Sequence, residues 1–142
     1  MGHGGGSSMS TSLSGSCLCG TVRYEVPDEF HAAFNCHCEQ CRRATGSAFK
    51  PMAAISFDKI VLVQGHDSLL IYGDRKGTHD VHCRRCGSFL YSRIAENGNG
   101  HVAMGTMIDT PSIKPQFHMF VGSKAPWHDI TDDLPQFEGL PE

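Results

Sequence analysis

Seven cysteines in 142 residues, at 17, 19, 36, 38, 41, 83 and 86, constrain this chain more than any other feature. Each has another within three positions. Thiols spaced that closely suit a shared metal ion better than the spread, even-numbered framework of a disulfide-stapled secreted domain. No apolar leader precedes them, so the expected compartment is the reducing cytoplasm. Residues 1–8 read Met-Gly-His-Gly-Gly-Gly-Ser-Ser, the composition of a tag or linker remnant, which leaves 9–142 as one domain.

Composition narrows the class further. With 39% hydrophobic and 19% charged residues, the chain can bury a real core, and its length suits a single domain. Its apolar runs are too short for a membrane-spanning helix. A formal net charge of −3, with scattered basic residues, argues against a dedicated nucleic-acid binder.

Apolar residues alternate at Val22, Tyr24 and Val26, the period of a half-buried strand. Residues 39–45 have room for one or two helical turns closed by Gly46. Three strands follow over 48–57, 59–64 and 68–72, with Gly65-His66-Asp67 as a hairpin connection between the last two. Segments 78–83 and 88–94 flank Arg84-Arg85-Cys86-Gly87, a hairpin with cysteines at its tip. Further strands are expected at 101–105 and 116–121, and beyond Trp127 an acidic, proline-punctuated tail packed on the surface. About eight short strands with regular turns predict a mainly β, sandwich-like fold.

The cysteines divide by spacing. Cys83-x-x-Cys86-Gly87 is a knuckle in which two thiolates can share an ion while Gly87 permits a tight reversal. A redox reading of this C-x-x-C needs a strand–helix context instead. Cys17 and Cys19 on an extended strand would face opposite ways, so sharing a metal requires a backbone turn, which Gly15 and Gly20 permit. Cys36, Cys38 and Cys41 crowd three thiols into six residues. By subtraction the two distant pairs make a four-sulfur set. All-thiolate tetrahedral sites favour zinc or iron, and zinc is the natural guest of the four-sulfur set: four thiolates close a structural site, whereas three leave a working position open. Four ligands from the central run plus a stray pair is the other partition, and it strands thiolates. His37 could supply a fourth ligand to that run, although its neighbours on both sides already bind. His79 and His82 read as supporting or surface residues.

These motifs resemble the family of glutathione-dependent formaldehyde-activating enzymes, which also contains the centromere protein V domain. The resemblance is carried by Gly15-Ser16-Cys17-Leu18-Cys19-Gly20, Cys36-His37-Cys38-x-x-Cys41-Arg42-Arg43-x-x-Gly46, Cys83-x-x-Cys86-Gly87 and the stretch from Pro115 to Trp127. It implies an Mss4-like zinc-containing fold with two zinc ions per chain. Cys17, Cys19, Cys83 and Cys86 match its structural ligands, and Cys36, Cys38 and Cys41 match those of a catalytic zinc. The implied activity is that of a carbon–sulfur lyase joining formaldehyde to glutathione, with a small thiol and a small aldehyde as partners. The chain is shorter than the founding members, with little between Pro51 and Thr78 to build a tripeptide cleft.

Three thiolates on a doubly charged ion leave an anionic site that nearby cations would offset. Arg42, Arg43 and Lys50 follow the run closely and could receive substrate carboxylates. The competing class is a zinc-stabilised binding module, with both metals structural and no catalysis.

Overall fold

Side chains on a strand leave on alternate faces, and Arg23–Pro27 (β2) follows that rule, burying Tyr24 and Val26 while Arg23 and Glu25 face water. Its antiparallel partner Ser12–Ser16 (β1) also alternates, burying Leu13 and Gly15, but with one large apolar side chain it shows no period in the sequence. Gly15 explains the pairing: a Cβ there would meet the Tyr24 ring at 2.0 Å, so the ring lies across bare backbone. Val61–Gln64 (β5) adds on the other side of β2, giving a three-stranded sheet in the order β1-β2-β5. The structure is a computed structural model that describes residues 11–141; the segment 1–8 read as a tag or linker lies outside them.

The second sheet has seven strands. Running across it are His118–Met119 (β10), Ala32–Cys36 (β3), Lys50–Ser56 (β4), Asn99–Ala103 (β9), Phe89–Ile94 (β8), His79–Cys83 (β7) and Leu69–Gly73 (β6). All neighbours are antiparallel except β10 and β3, which run parallel. The α-helix Glu39–Thr45 (α1) connects β3 to β4, with Gly46 as a left-handed cap at φ 63° donating to the Arg42 carbonyl. Helix and cap stand where the sequence puts them.

Two expectations fail. β5 and β6 are not a hairpin: they belong to different sheets, and Gly65-His66-Asp67 carries the chain between them. Gly65 sits at φ +90°, where a Cβ would meet the Thr21 carbonyl oxygen at 2.5 Å, so its turn is docked on the segment leading into β2. The strand expected over 116–121 is only two residues long. Phe120 takes the left-handed conformation, φ 57°, and ends it.

Strand β4 buries both its faces, and two cores result. Between the sheets, Leu13, Val22, Tyr24 and Val26 meet Ile55, Val81, Leu90, Tyr91 and Val102, with Tyr24 and Tyr91 edge to face at 5.8 Å. On the far face of the large sheet, Phe34, Met52, Ala54 and Met119 pack with Cys36 and Cys41. The cysteine sets therefore occupy opposite faces of one sheet, Cys17 and Cys83 in the first core and Cys36 and Cys41 in the second.

His101 packs edge-on against Phe34 in the far-face layer, centroids 5.2 Å apart. Burial first, then the charges of Lys50 and His31, push its pKa down from 6.5 to about 4. The unfolded chain therefore holds more of this proton between those values, and stability should rise with pH across that window and level off on either side of it. His101→Gln should flatten the rise by up to about 2 kcal/mol, read by denaturant unfolding at a series of pH values.

Candidate metal centres

The first centre joins the two sheets. Cys17 and Cys19 lie in the turn after β1, which reverses through Gly20 at φ 82° and thereby resolves the opposite-face problem of an i, i+2 pair. Cys83 ends β7, and Gly87, also at φ 82°, turns the chain back toward β8, its N–H donating to the Cys83 carbonyl at 2.8 Å. The four sulfurs lie within 4.8 Å of one another, Cys17 to Cys19 at 3.7 Å and Cys19 to Cys83 at 3.8 Å. Zinc–sulfur bonds of about 2.3 Å at tetrahedral angles set sulfurs about 3.8 Å apart, so the spacing suits that ion. Backbone N–H groups already point inward, from Val22 to the Cys17 sulfur at 3.2 Å and from Cys86 to the Cys83 sulfur at 3.4 Å. Ser88 ties the halves together: its Oγ accepts from the Leu18 N–H at 2.9 Å and lies 3.2 Å from the Cys86 sulfur. That hydroxyl holds the Cys86 thiol down at about 5, while burial pushes Cys83 up to about 11.

The second centre lies where β3 gives way to α1. Cys36 ends the strand, Cys38 caps the helix with its sulfur accepting from the Cys41 N–H at 3.3 Å, and Cys41 follows in the first turn. Their sulfurs lie within 4.8 Å of one another, and among the described residues no other Cys, His, Asp or Glu joins them. Hydrogen bonds from the Cys36 and Cys41 thiols, then from the helix-start N–H groups, lower the Cys38 pKa to about 2. Cys36 is correspondingly raised to about 11 and Cys41 is raised as well.

The three basic candidates separate. Lys50 pairs with Cys36 across the β3–β4 ladder, is only 5% exposed, and places its ammonium 3.8 Å above the Phe89 ring. Its charge pulls the Cys41 thiol down, against the stronger upward effects of the neighbouring thiols and burial. Among the described residues no carboxylate forms an ion pair with it. Lys50, Phe49, Ser88, Phe89 and Thr106 line a groove of about 410 Å³ beside the C-terminal end of α1. Arg43 is 79% exposed, 4.0 Å from Glu39, on the rim of a second groove of about 510 Å³ walled by Leu70, Tyr72, Asp80 and His82. The stretch after Pro51 thus does build one cleft wall. Arg42 is half-buried, with its Nε enclosed and unpartnered.

Neither His79 nor His82 joins a thiol set: His79 Nδ1 lies 3.0 Å from the Gly77 carbonyl oxygen, and His82 packs on Phe89 with centroids 4.9 Å apart. His37 turns from the thiols and meets His118, Nε2 to Nδ1 at 2.9 Å, and His118 in turn meets Asp132. Sequence reasoning missed His118 and Asp132, because contacts across 81 and 14 residues leave no mark in local spacing.

Comparison with known proteins agrees with this arrangement. The family described as glutathione-dependent formaldehyde-activating enzyme matches residues 12–123. A Podospora anserina protein bearing that family description is 26% identical over 113 residues, covering 75% of this chain. This chain spans about half of that relative's length, 53%. A crystal structure of a Rhodobacter sphaeroides protein superposes with a TM-score of 0.58 at 22% identity, over 87% of this chain and 98% of its own, a likeness of fold. With both cysteine sets and all ten strands of the described residues inside the matched span, the chain belongs to the glutathione-dependent formaldehyde-activating enzyme family.

Proposed function

We propose that this protein is a zinc-dependent enzyme of the carbon–sulfur lyase type, acting on the adduct of a small thiol and a small aldehyde in a reducing compartment such as the cytoplasm. Glutathione and formaldehyde are the pair that the family description names. One observation carries the reading: the two cysteine sets are unequal, one with four converging sulfurs and one with three. All seven cysteines are free thiols, the donor chemistry zinc prefers. Cys17, Cys19, Cys83 and Cys86 would hold a structural ion, and Cys36, Cys38 and Cys41 a catalytic one. When bound by the trio, zinc supplies a position that accepts a thiol sulfur or polarises an aldehyde oxygen at neutral pH.

The chain's own residues account for the rest. In adduct formation the carbon–sulfur bond forms, the thiol loses its proton and the carbonyl oxygen gains one. Lys50 is the cation placed beside the trio, so its ammonium can donate to that oxygen as charge builds on it, or receive a substrate carboxylate. It also offsets the negative charge of the thiolate set. Phe49 and Phe89 give the Lys50 groove, which also reaches Cys86, an apolar lining. Arg43 lines the second groove and would meet a more distant carboxylate.

The test uses the cobalt-substituted protein. Adding glutathione should change the visible spectrum of the three-cysteine site, and the zinc form should accelerate adduct formation or breakdown above the spontaneous rate. Cys38→Ser should return the rate to the spontaneous one. A spectrum indifferent to glutathione and other small thiols, with no rate gain over that variant, would favour a zinc-stabilised binding module instead.

A further inference from the structure

Behind the three-cysteine turn, two buried imidazoles and a carboxylate form a line. His37 is fully buried and His118 is 2% exposed, while the Asp132 side chain is 48% exposed. His37 Nε2 lies 2.9 Å from His118 Nδ1, and His118 Nε2 lies 3.1 Å from each Asp132 oxygen. An ionised carboxylate only accepts, so the proton of a neutral His118 sits on Nε2. Its Nδ1 then accepts, and His37 must donate from Nε2. That leaves His37 Nδ1 a bare lone pair, and it is enclosed without a partner.

The backbone is layered along the same line. The His37 N–H donates to the Met119 carbonyl at 3.0 Å, tying the turn to β10. His118 then exchanges backbone bonds with the C-terminal segment, donating to Pro135 at 2.8 Å and accepting from Phe137 at 2.9 Å. Asp132 is itself held by the Leu134 N–H at 3.0 Å. The family match ends at residue 123, so the carboxylate comes from a part of this chain outside it.

We propose that Asp132 and His118 are positioning residues for the three-cysteine centre: they fix the tautomer and tilt of His37, and through it the separation of Cys36 and Cys38. This rests on the trio binding zinc, as proposed above. The C-terminal segment thereby braces the ligand turn from the side away from the thiols. Neither residue belongs to the three-sulfur cluster.

The test is zinc transfer from the fully loaded, full-length chain to a colorimetric chelator, which should show a fast phase from the three-cysteine site and a slow one from the four-cysteine site. Asp132→Ala should speed the fast phase about tenfold and leave the slow phase unchanged, since supporting partners of metal ligands commonly matter by 10–100-fold. Asp132→Glu should recover part of the loss. Nitrogen-15 NMR of the imidazoles should find His37 protonated at Nε2 alone in the parent chain and in mixed tautomers in Asp132→Ala. A fast phase unmoved by Asp132→Ala, two phases accelerated equally, or a parent His37 protonated at Nδ1 would each overturn the proposal. A chain that takes up a single zinc would instead remove the proposed function, and the His37 tautomer with its response to Asp132→Ala would still decide the brace.

Discussion

Cys83→Ser should unfold or aggregate the protein under conditions in which Cys38→Ser stays folded. Cys83 is fully buried in the core between the sheets, and its set ties the turn after β1 to the β7–β8 tip, 64 residues away from Cys19. A four-thiolate zinc site of this kind contributes about 10–16 kcal/mol of apparent binding free energy that is also folding free energy. A domain's net stability is only about 5–15 kcal/mol, so loss of the ion proposed for this set would exceed what remains. Cys38 caps a helix of seven residues on the far face, where the loss is a cap and a weaker metal, about 1–2 kcal/mol of fold. Circular dichroism and zinc content per chain check both variants. Equal loss of structure in the two would defeat the division into structural and working centres, and absence of zinc from protein purified under reducing, chelator-free conditions would defeat both.

Lys50→Met should leave the fold and the four-cysteine ion intact and lower kcat/KM by about a hundredfold. The reason is local. An ammonium that is 5% exposed, over an aromatic ring and beside three thiols, is costly to bury for packing alone. Methionine keeps the stem volume and removes only the charge and its donors. Loss of one preorganised donor to developing oxyanion charge typically costs about 10²–10³ in rate. Lys50→Arg, which keeps the charge but not the point geometry, should fall between the two. A Lys50→Met protein with full activity and full zinc would return Lys50 to a packing role.

The cysteines made the two centres legible before any fold was known, because metal chelation by neighbouring thiols is a local property of the chain. Cys36, Cys38 and Cys41 need only one turn of backbone to converge, and Cys83 and Cys86 need one knuckle. The same is true of α1 and its Gly46 cap, where helix ends are written in adjacent residues. The β7–β8 hairpin was legible for that reason as well.

What the tertiary structure decided is everything that depends on distant partners. The cysteine spacing determined which thiols group together; only the pairing of strands determined that one group clamps two sheets while the other lies on the opposite face. β5 and β6 look like a hairpin because turn residues join them, yet each finds its ladder elsewhere, with β2 and β7, and local turn chemistry cannot say which. Arg42, Arg43 and Lys50 are equivalent as a run of positive charge. Strand alternation buries Lys50 and the outer face of a helix exposes Arg43, so their roles part only when the backbone is placed. His118 and Asp132 are the extreme case: hydrogen bonding between buried groups depends on distance in space, and nothing near either residue in the chain foretells the other.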